Sequence, residues 1–136
     1  MGFLTGPPFR YLVICRMGSI KQLLVYQKAY SQAMEIFRIS KEFPKEELYS
    51  LVDQIRKSSR AVCANLAEAY RKRNYPAHFV SKVSDADSEN AETSVWLDFS
   101  KDCLYLSADK HHSLITNNNE IGRLIGDILK NPAKYL

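Results

Sequence analysis

From Ser19 onward the chain repeats one pattern. Apolar side chains recur three and four residues apart, over segments far longer than a strand. That spacing puts them on one side of an α-helix, and such a helix must bury its apolar side against another element. Proline sets the divisions. After Gly18 it occurs only at Pro44, Pro76 and Pro132. Each falls where a helix must stop or start, because the ring fixes φ and removes a backbone donor. Four amphipathic segments with short connections predict an all-α, antiparallel up-down-up-down four-helix bundle. No segment alternates polar and apolar residues over a strand's length.

The expected helices span about 19–41, 45–72, 76–106 and 108–130. In the first, Leu23, Tyr26, Tyr30, Ala33 and Phe37 make the stripe, with Ser19 as N-cap. Phe43-Pro44 ends it, since a residue before proline avoids the α region. The second carries Leu48, Leu51, Val52, Ile55, Ser59, Val62, Leu66 and Tyr70. Glu46 and Glu47 in its first turn and Arg71, Lys72 and Arg73 at its end suit the helix dipole. The third starts at Pro76 and aligns Phe79, Val83, Ala86, Asn90, Leu97 and Leu104. Ala91, Val95, Phe99, Cys103 and Leu106 broaden that face. The fourth, capped by Ser107, aligns Leu114, Asn118, Ile121, Leu124, Ile125 and Ile128. Asn117-Asn118-Asn119 is a poor helix former and predicts a bend or a late start there.

A chain of 136 residues is one domain, large enough for a core without covalent staples. Its cysteines, Cys15, Cys63 and Cys103, are odd in number, widely spaced and free of any C-x-x-C pair. They form neither a disulfide framework nor a zinc ribbon, and they fit a reducing, cytoplasmic setting. No apolar run is long enough to span a membrane. Residues 1–18 are expected to be a leader, disordered or loosely packed, ahead of a bundle over 19–136. Gly6-Pro7-Pro8 and Arg10 break its apolar stretch, and no cation precedes that stretch as a signal peptide requires.

The net charge is +4, but its placement is lopsided. Between Gln54 and Lys82 stand Arg56, Lys57, Arg60, Arg71, Lys72, Arg73 and Lys82 against Glu68 alone. Between Val83 and Asp109 stand Asp85, Asp87, Glu89, Glu92, Asp98, Asp102 and Asp109 against Lys101 alone. A basic helix is followed by an acidic one. Arg56, Lys57, Arg60, Arg71, Lys72 and Arg73 are candidate contacts to RNA or DNA, because cations facing phosphates gain by counterion release. Tyr70 and Tyr75 beside them offer rings to stack on bases. The competing explanation is a solvated face, or cations paired with an acidic helix in the same or a neighbouring subunit.

Asn65, Glu68 and Asn90 fall on or near the apolar stripes. They are expected to be structural core polar residues, with Asn65 bonding across the bundle to Asn90 or Glu89 and setting register. Di-iron bundles carry Glu-x-x-His on two helices, and the sequence has none; Asp109-x-x-His112 is its nearest approach. No metal, no cofactor and no catalytic residue is implied. No phosphate-cradling loop or nucleophile elbow is present either.

Several motifs resemble one family. They are Val25-Tyr26-Gln27-Lys28-Ala29-Tyr30, Phe43-Pro44-Lys45-Glu46-Glu47-Leu48-Tyr49 and Gln54-Ile55-Arg56-Lys57-Ser58. Ala64-Asn65-Leu66-Ala67-Glu68, Glu89-Asn90-Ala91-Glu92-Thr93, Val95-Trp96-Leu97-Asp98-Phe99 and Ile121-Gly122-Arg123-Leu124 complete the set. Together they resemble the bacterial four-helix bundle proteins, or 23S rRNA intervening-sequence protein family, over about Ile20 to Leu136. Cys63 stands where that family often has Pro, and Ala69 where it usually has Gly. The resemblance implies an up-down bundle that assembles as a ring-like homopentamer, binds nucleic acid and has no enzymatic activity. The expected function is therefore a non-enzymatic oligomeric bundle with an RNA- or DNA-binding basic surface. The alternative is a protein–protein adaptor or structural oligomer.

Overall fold

A computed structural model describes residues 19–136. The leader expected over residues 1–18 lies outside them. Among the described residues are four α-helices and no strand. They are α1 (Leu24–Ser40), α2 (Leu51–Arg71), α3 (Pro76–Asp102) and α4 (Ala108–Lys130). Short 3-10 turns occupy Ile20–Gln22, Lys45–Glu47 and Pro132–Tyr135.

Partners across neighbouring helices run in opposite chain directions, as an up-down bundle requires. Arg56, early in α2, reaches Ser40 at the end of α1. Lys110, early in α4, meets Glu35 late in α1, while Asn118 further along α4 meets Gln32. Asp98, late in α3, meets His111 early in α4.

The core comes in two apolar halves. One gathers Val25, Ala29, Val62, Leu66, Phe79, Val83, Ile121 and Ile125. The other is built on Ile36, Ile55, Leu97 and Leu114, with Phe43, Leu51 and Val52 at its end. A belt of buried polar residues lies among them: Gln32, Ser58, Ser59, Asn90, Thr93 and Asn118. Each half removes several large apolar side chains from water, and this burial is the main force holding the helices together.

Several helix limits differ from the expected ones. Ser19 makes no side-chain capping bond, and α1 starts only at Leu24 after the extended Leu23. The second helix starts at Leu51, not Lys45, because Ser50 is non-helical at φ −126°, ψ −98°. Glu47 then acts from outside the helix. Its carboxylate accepts from Ser50 Oγ and, at 3.4 Å, from Leu51 N, and its other oxygen accepts from Tyr105 Oη at 2.9 Å. These donors hold the Glu47 carboxyl below its ordinary pKa. The third helix stops at Asp102 because Leu104 adopts a left-handed φ of 66°. Ser107 caps α4 as expected, accepting from Lys110 N at 3.1 Å. The Asn run neither interrupts nor delays α4, which is continuous from Ala108: its middle residue is buried and bonded, and tertiary contacts outweigh weak propensity.

The buried side of α1 also differs. Val25, Ala29, Gln32, Ala33 and Ile36 face inward, whereas Tyr30 is 53% exposed and Tyr26 and Phe37 are half-buried. Small Ala29 and Ala33 let α1 approach its neighbours closely. The aromatic stripe is consequently turned aside, along the edge that α1 shares with α2.

Candidate nucleic-acid interface

The six basic positions of α2 and its end have different surroundings. Arg56 donates through Nε to Ser40 Oγ at 2.8 Å and through Nη2 to the Phe37 carbonyl at 3.4 Å. It therefore closes the C-terminal turn of α1, where the dipole favours a cation. Lys57 pairs with Asp53 one turn earlier, at 3.0 Å. Arg73 lies over the Tyr70 ring at 3.7 Å and donates to the Tyr70 carbonyl. Arg60, Arg71 and Lys72 are exposed, and among the described residues no carboxylate lies within ion-pair distance of them. Arg71 and Lys72 complement the end of α2. Arg60, in mid-helix, has no such structural explanation.

Internal pairing does not neutralise the opposed charges of α2 and α3. Among the described residues, the ion pair joining these two helices is Lys82 with Glu68, at 3.0 Å. It couples an α3 cation to an α2 carboxylate, against the overall charge asymmetry. Glu68 raises the Lys82 pKa, chiefly through their hydrogen bond. Along α3 the carboxylates crowd one another. Desolvation, and then neighbouring Glu92, push the Glu89 carboxyl up.

The expected polar core needs correction. Glu68 is exposed and Asn65 half-exposed, and no hydrogen bond joins Asn65 to Asn90 or Glu89. Both lie on the side of α2 that turns toward solvent, away from Ile55, Val62 and Leu66. Asn90 is buried as expected. Its Nδ2 donates to the Asn118 carbonyl at 2.9 Å, and Asn118 Nδ2 donates back to the Asn90 carbonyl at 3.2 Å. Gln32 Nε2 donates to Asn118 Oδ1 and to the Leu114 carbonyl, while Gln32 Oε1 accepts from Asn117. Thr93 and Ser58 link α3 to α2 at 2.9 Å. The buried polar contacts thus join α3 and α1 to α4, and α3 to α2. Asn118, flanked by apolar stripe residues, was the available signal for them.

Three other features were missed as functional candidates. Phe37 belongs to the apolar stripe by spacing, yet Lys41, Arg56 and Arg60 approach its ring at 4.6, 4.9 and 5.6 Å from the centroid. Tyr30 stacks on Tyr26 with centroids 6.1 Å apart. Elsewhere, Tyr49, Val95, Phe99 and Leu104 are exposed, and Tyr49, Trp96, Phe99 and Cys103 line an open cleft. Among the described residues, no three His, Cys, Asp or Glu side chains converge to hold a metal ion. No described helix is long and apolar enough to cross a membrane.

With this geometry in place, comparison with known proteins adds a family. The family model described as "23S rRNA-intervening sequence protein" matches residues 21–127. The chain belongs to that family. A crystal structure of a protein of unknown function from the S23 ribosomal protein family of Bacteroides thetaiotaomicron VPI-5482 superposes with a TM-score of 0.73 at 26% identity. The superposition covers 79% of this chain and all of that one. No curated protein matches the chain. Neither the description of the family nor that of the structural relative indicates an enzymatic activity.

Proposed function

We propose that this protein is a non-enzymatic, oligomeric helical bundle that binds RNA or DNA through the basic side of α2. The observation that carries the reading is the missing internal neutralisation. Among the described residues Arg60, Arg71 and Lys72 stay exposed without a carboxylate partner, although seven acidic residues crowd the neighbouring stretch from Val83 to Asp109. Unpaired cations on one helix gain most from a polyanion. Binding to a generic RNA should weaken steeply with salt, and reversing Arg71, Lys72 and Arg73 to Glu should reduce both affinity and salt slope. Absent or salt-independent binding at low ionic strength overturns the reading.

A second reading is a purely structural oligomer, and a specific observation favours it. Tyr49 and Phe99 are large, exposed and line an open cleft together with Glu47. An apolar cleft on a chain with an acidic α3 suits the basic α2 of a second copy, and a head-to-tail contact of that kind can close into a ring. Mass in solution, measured with the absorbance ratio that reveals co-purified nucleic acid, separates the two. An oligomer free of nucleic acid that binds none favours the structural role.

A further inference from the structure

The edge between α1 and α2 has a composition that neither helix explains alone. Along α1, Tyr26, Tyr30, Phe37 and Lys41 are spaced four, seven and four residues apart, which keeps them on one side of the helix. Along α2, Arg56, Arg60 and Arg71 are spaced four and eleven apart, also one side. The two rows meet at Phe37, over whose ring Arg56 and Arg60 both lie. Tyr26 lies near Cys63, whose charge helps to raise the Tyr26 pKa after burial does so. From Tyr26 to Lys41 the row is about 22 Å long at α-helical rise.

Two features of this edge remain unexplained by folding. Lys41, Arg56 and Arg60 share one aromatic ring, and among the described residues no carboxylate lies within ion-pair distance of any of them. The α1 C-terminus accounts for Arg56 and Lys41, but like charges gathered on one ring still repel until an anion arrives. Next along the row, Tyr30 holds half its surface in water, with one neighbour stacked against it.

We infer that the α1–α2 edge is a single-stranded nucleic-acid track, in which Lys41, Arg56 and Arg60 hold backbone phosphates and Tyr30 stacks on an unpaired base. This deepens the nucleic-acid reading and rests on it. A cationic lane with an exposed ring beside it is the arrangement that tracks a single strand without reading its sequence. A duplex hides its base faces and would leave Tyr30 against sugar and phosphate. The track is long enough for on the order of four nucleotides, the short end of known single-strand site sizes. Phe37 does not stack on a base, because its ring is already occupied by the cations; it positions them.

The test is fluorescence anisotropy with a labelled oligouridylate of about twelve nucleotides and an RNA duplex of equal length, at low and raised salt. The full-length protein should bind the single strand at least about tenfold more tightly than the duplex. Tyr30→Ala should weaken oligouridylate binding at least about fivefold, the usual loss for one stacked base, and leave duplex binding unchanged. Tyr30→Phe keeps the ring and should restore binding. Lys41→Glu with Arg60→Glu should weaken it more and flatten the salt dependence. Helical circular dichroism confirms that each exposed-site variant is folded. Equal binding of duplex and single strand, or indifference to both Tyr30→Ala and the Lys41/Arg60 reversal, overturns the track. If only reversal at Arg71, Lys72 and Arg73 abolishes binding, the track fails while the nucleic-acid reading survives. If the wild type binds neither probe at low salt, the reading fails as well.

Discussion

Gly122 and Gly126 lie one turn apart inside α4, and the polar belt makes alanine behave differently at the two positions. Replacing a helical glycine by alanine gains up to about 1 kcal/mol from backbone entropy alone. At Gly126 an added Cβ meets nothing within 4 Å, so the gain should appear nearly in full. At Gly122 it would stand 3.3 Å from Asn90 Nδ2, closer than an ordinary contact. Asn90 has little room to yield. It is 5% exposed, and the same Nδ2 is held by the 2.9 Å bond to the Asn118 carbonyl. A net hydrogen bond contributes about 1 kcal/mol, so displacing it by a few tenths of an ångström cancels much of the helix gain. Gly126→Ala should thus stabilise by about 0.5–1 kcal/mol and Gly122→Ala by roughly nothing. In an Asn90→Ala background, Gly122→Ala should recover the gain seen at Gly126, a coupling on the order of 0.5–1 kcal/mol. Urea unfolding followed by helical circular dichroism measures each step from its midpoint, provided the slope is unchanged. Equal gains at both glycines, with additive behaviour in the cycle, would refute a fixed Asn90 amide against α4.

Three further outcomes are expected. Leu97 is fully buried beside Ile36 and Ile55, so Leu97→Ala should cost about 2–5 kcal/mol of unfolding free energy measured in urea, and a loss below about 1 kcal/mol would contradict the packing described. Leu104, 89% exposed at φ 66°, occupies a conformation that disfavours side chains; Leu104→Gly should raise stability by about 1 kcal/mol, read as a higher thermal midpoint. Burial pushes the Cys63 thiol up to about 11 from an ordinary 9.0, so the unfolded chain ionises first as pH rises. Its stabilising contribution is whole below pH 9.0 and lost through about 11, on the order of 2 kcal/mol in all. Cys63→Ala should flatten that part of the pH profile, and an unchanged slope would count against a desolvated thiol.

Much of the site was legible only as raw material. The cations of α2 stood out as a charge run, and spacing placed Arg56 with Arg60. Their fates could not be read that way. Arg56 became a clasp on α1 and Arg60 came to lie over Phe37, because each depends on what another helix places opposite it, whereas Lys57 pairs with Asp53 within its own helix. Asn65 and Asn90 looked alike as asparagines within apolar segments. Only Asn90 points inward, since a helix in a bundle turns a strip of limited width to the core and a small rotation decides which side of that strip a residue occupies.

What the amino-acid order determined unaided was the count and kind of elements, because period, proline placement and the Ser107 cap act within a few residues of themselves. It also determined most of the core, including Leu51, Ile55, Leu97 and Ile125. Tertiary packing decided the rotation of α1, which buries Ala29 and Ile36 and leaves Tyr30 in water. It also decided that Glu47 caps α2 from outside and that Gln32, Asn90 and Asn118 satisfy one another in the interior. The reason is physical: helix formation is governed by neighbours along the chain, whereas burial is a competition among faces that is settled only when four helices meet.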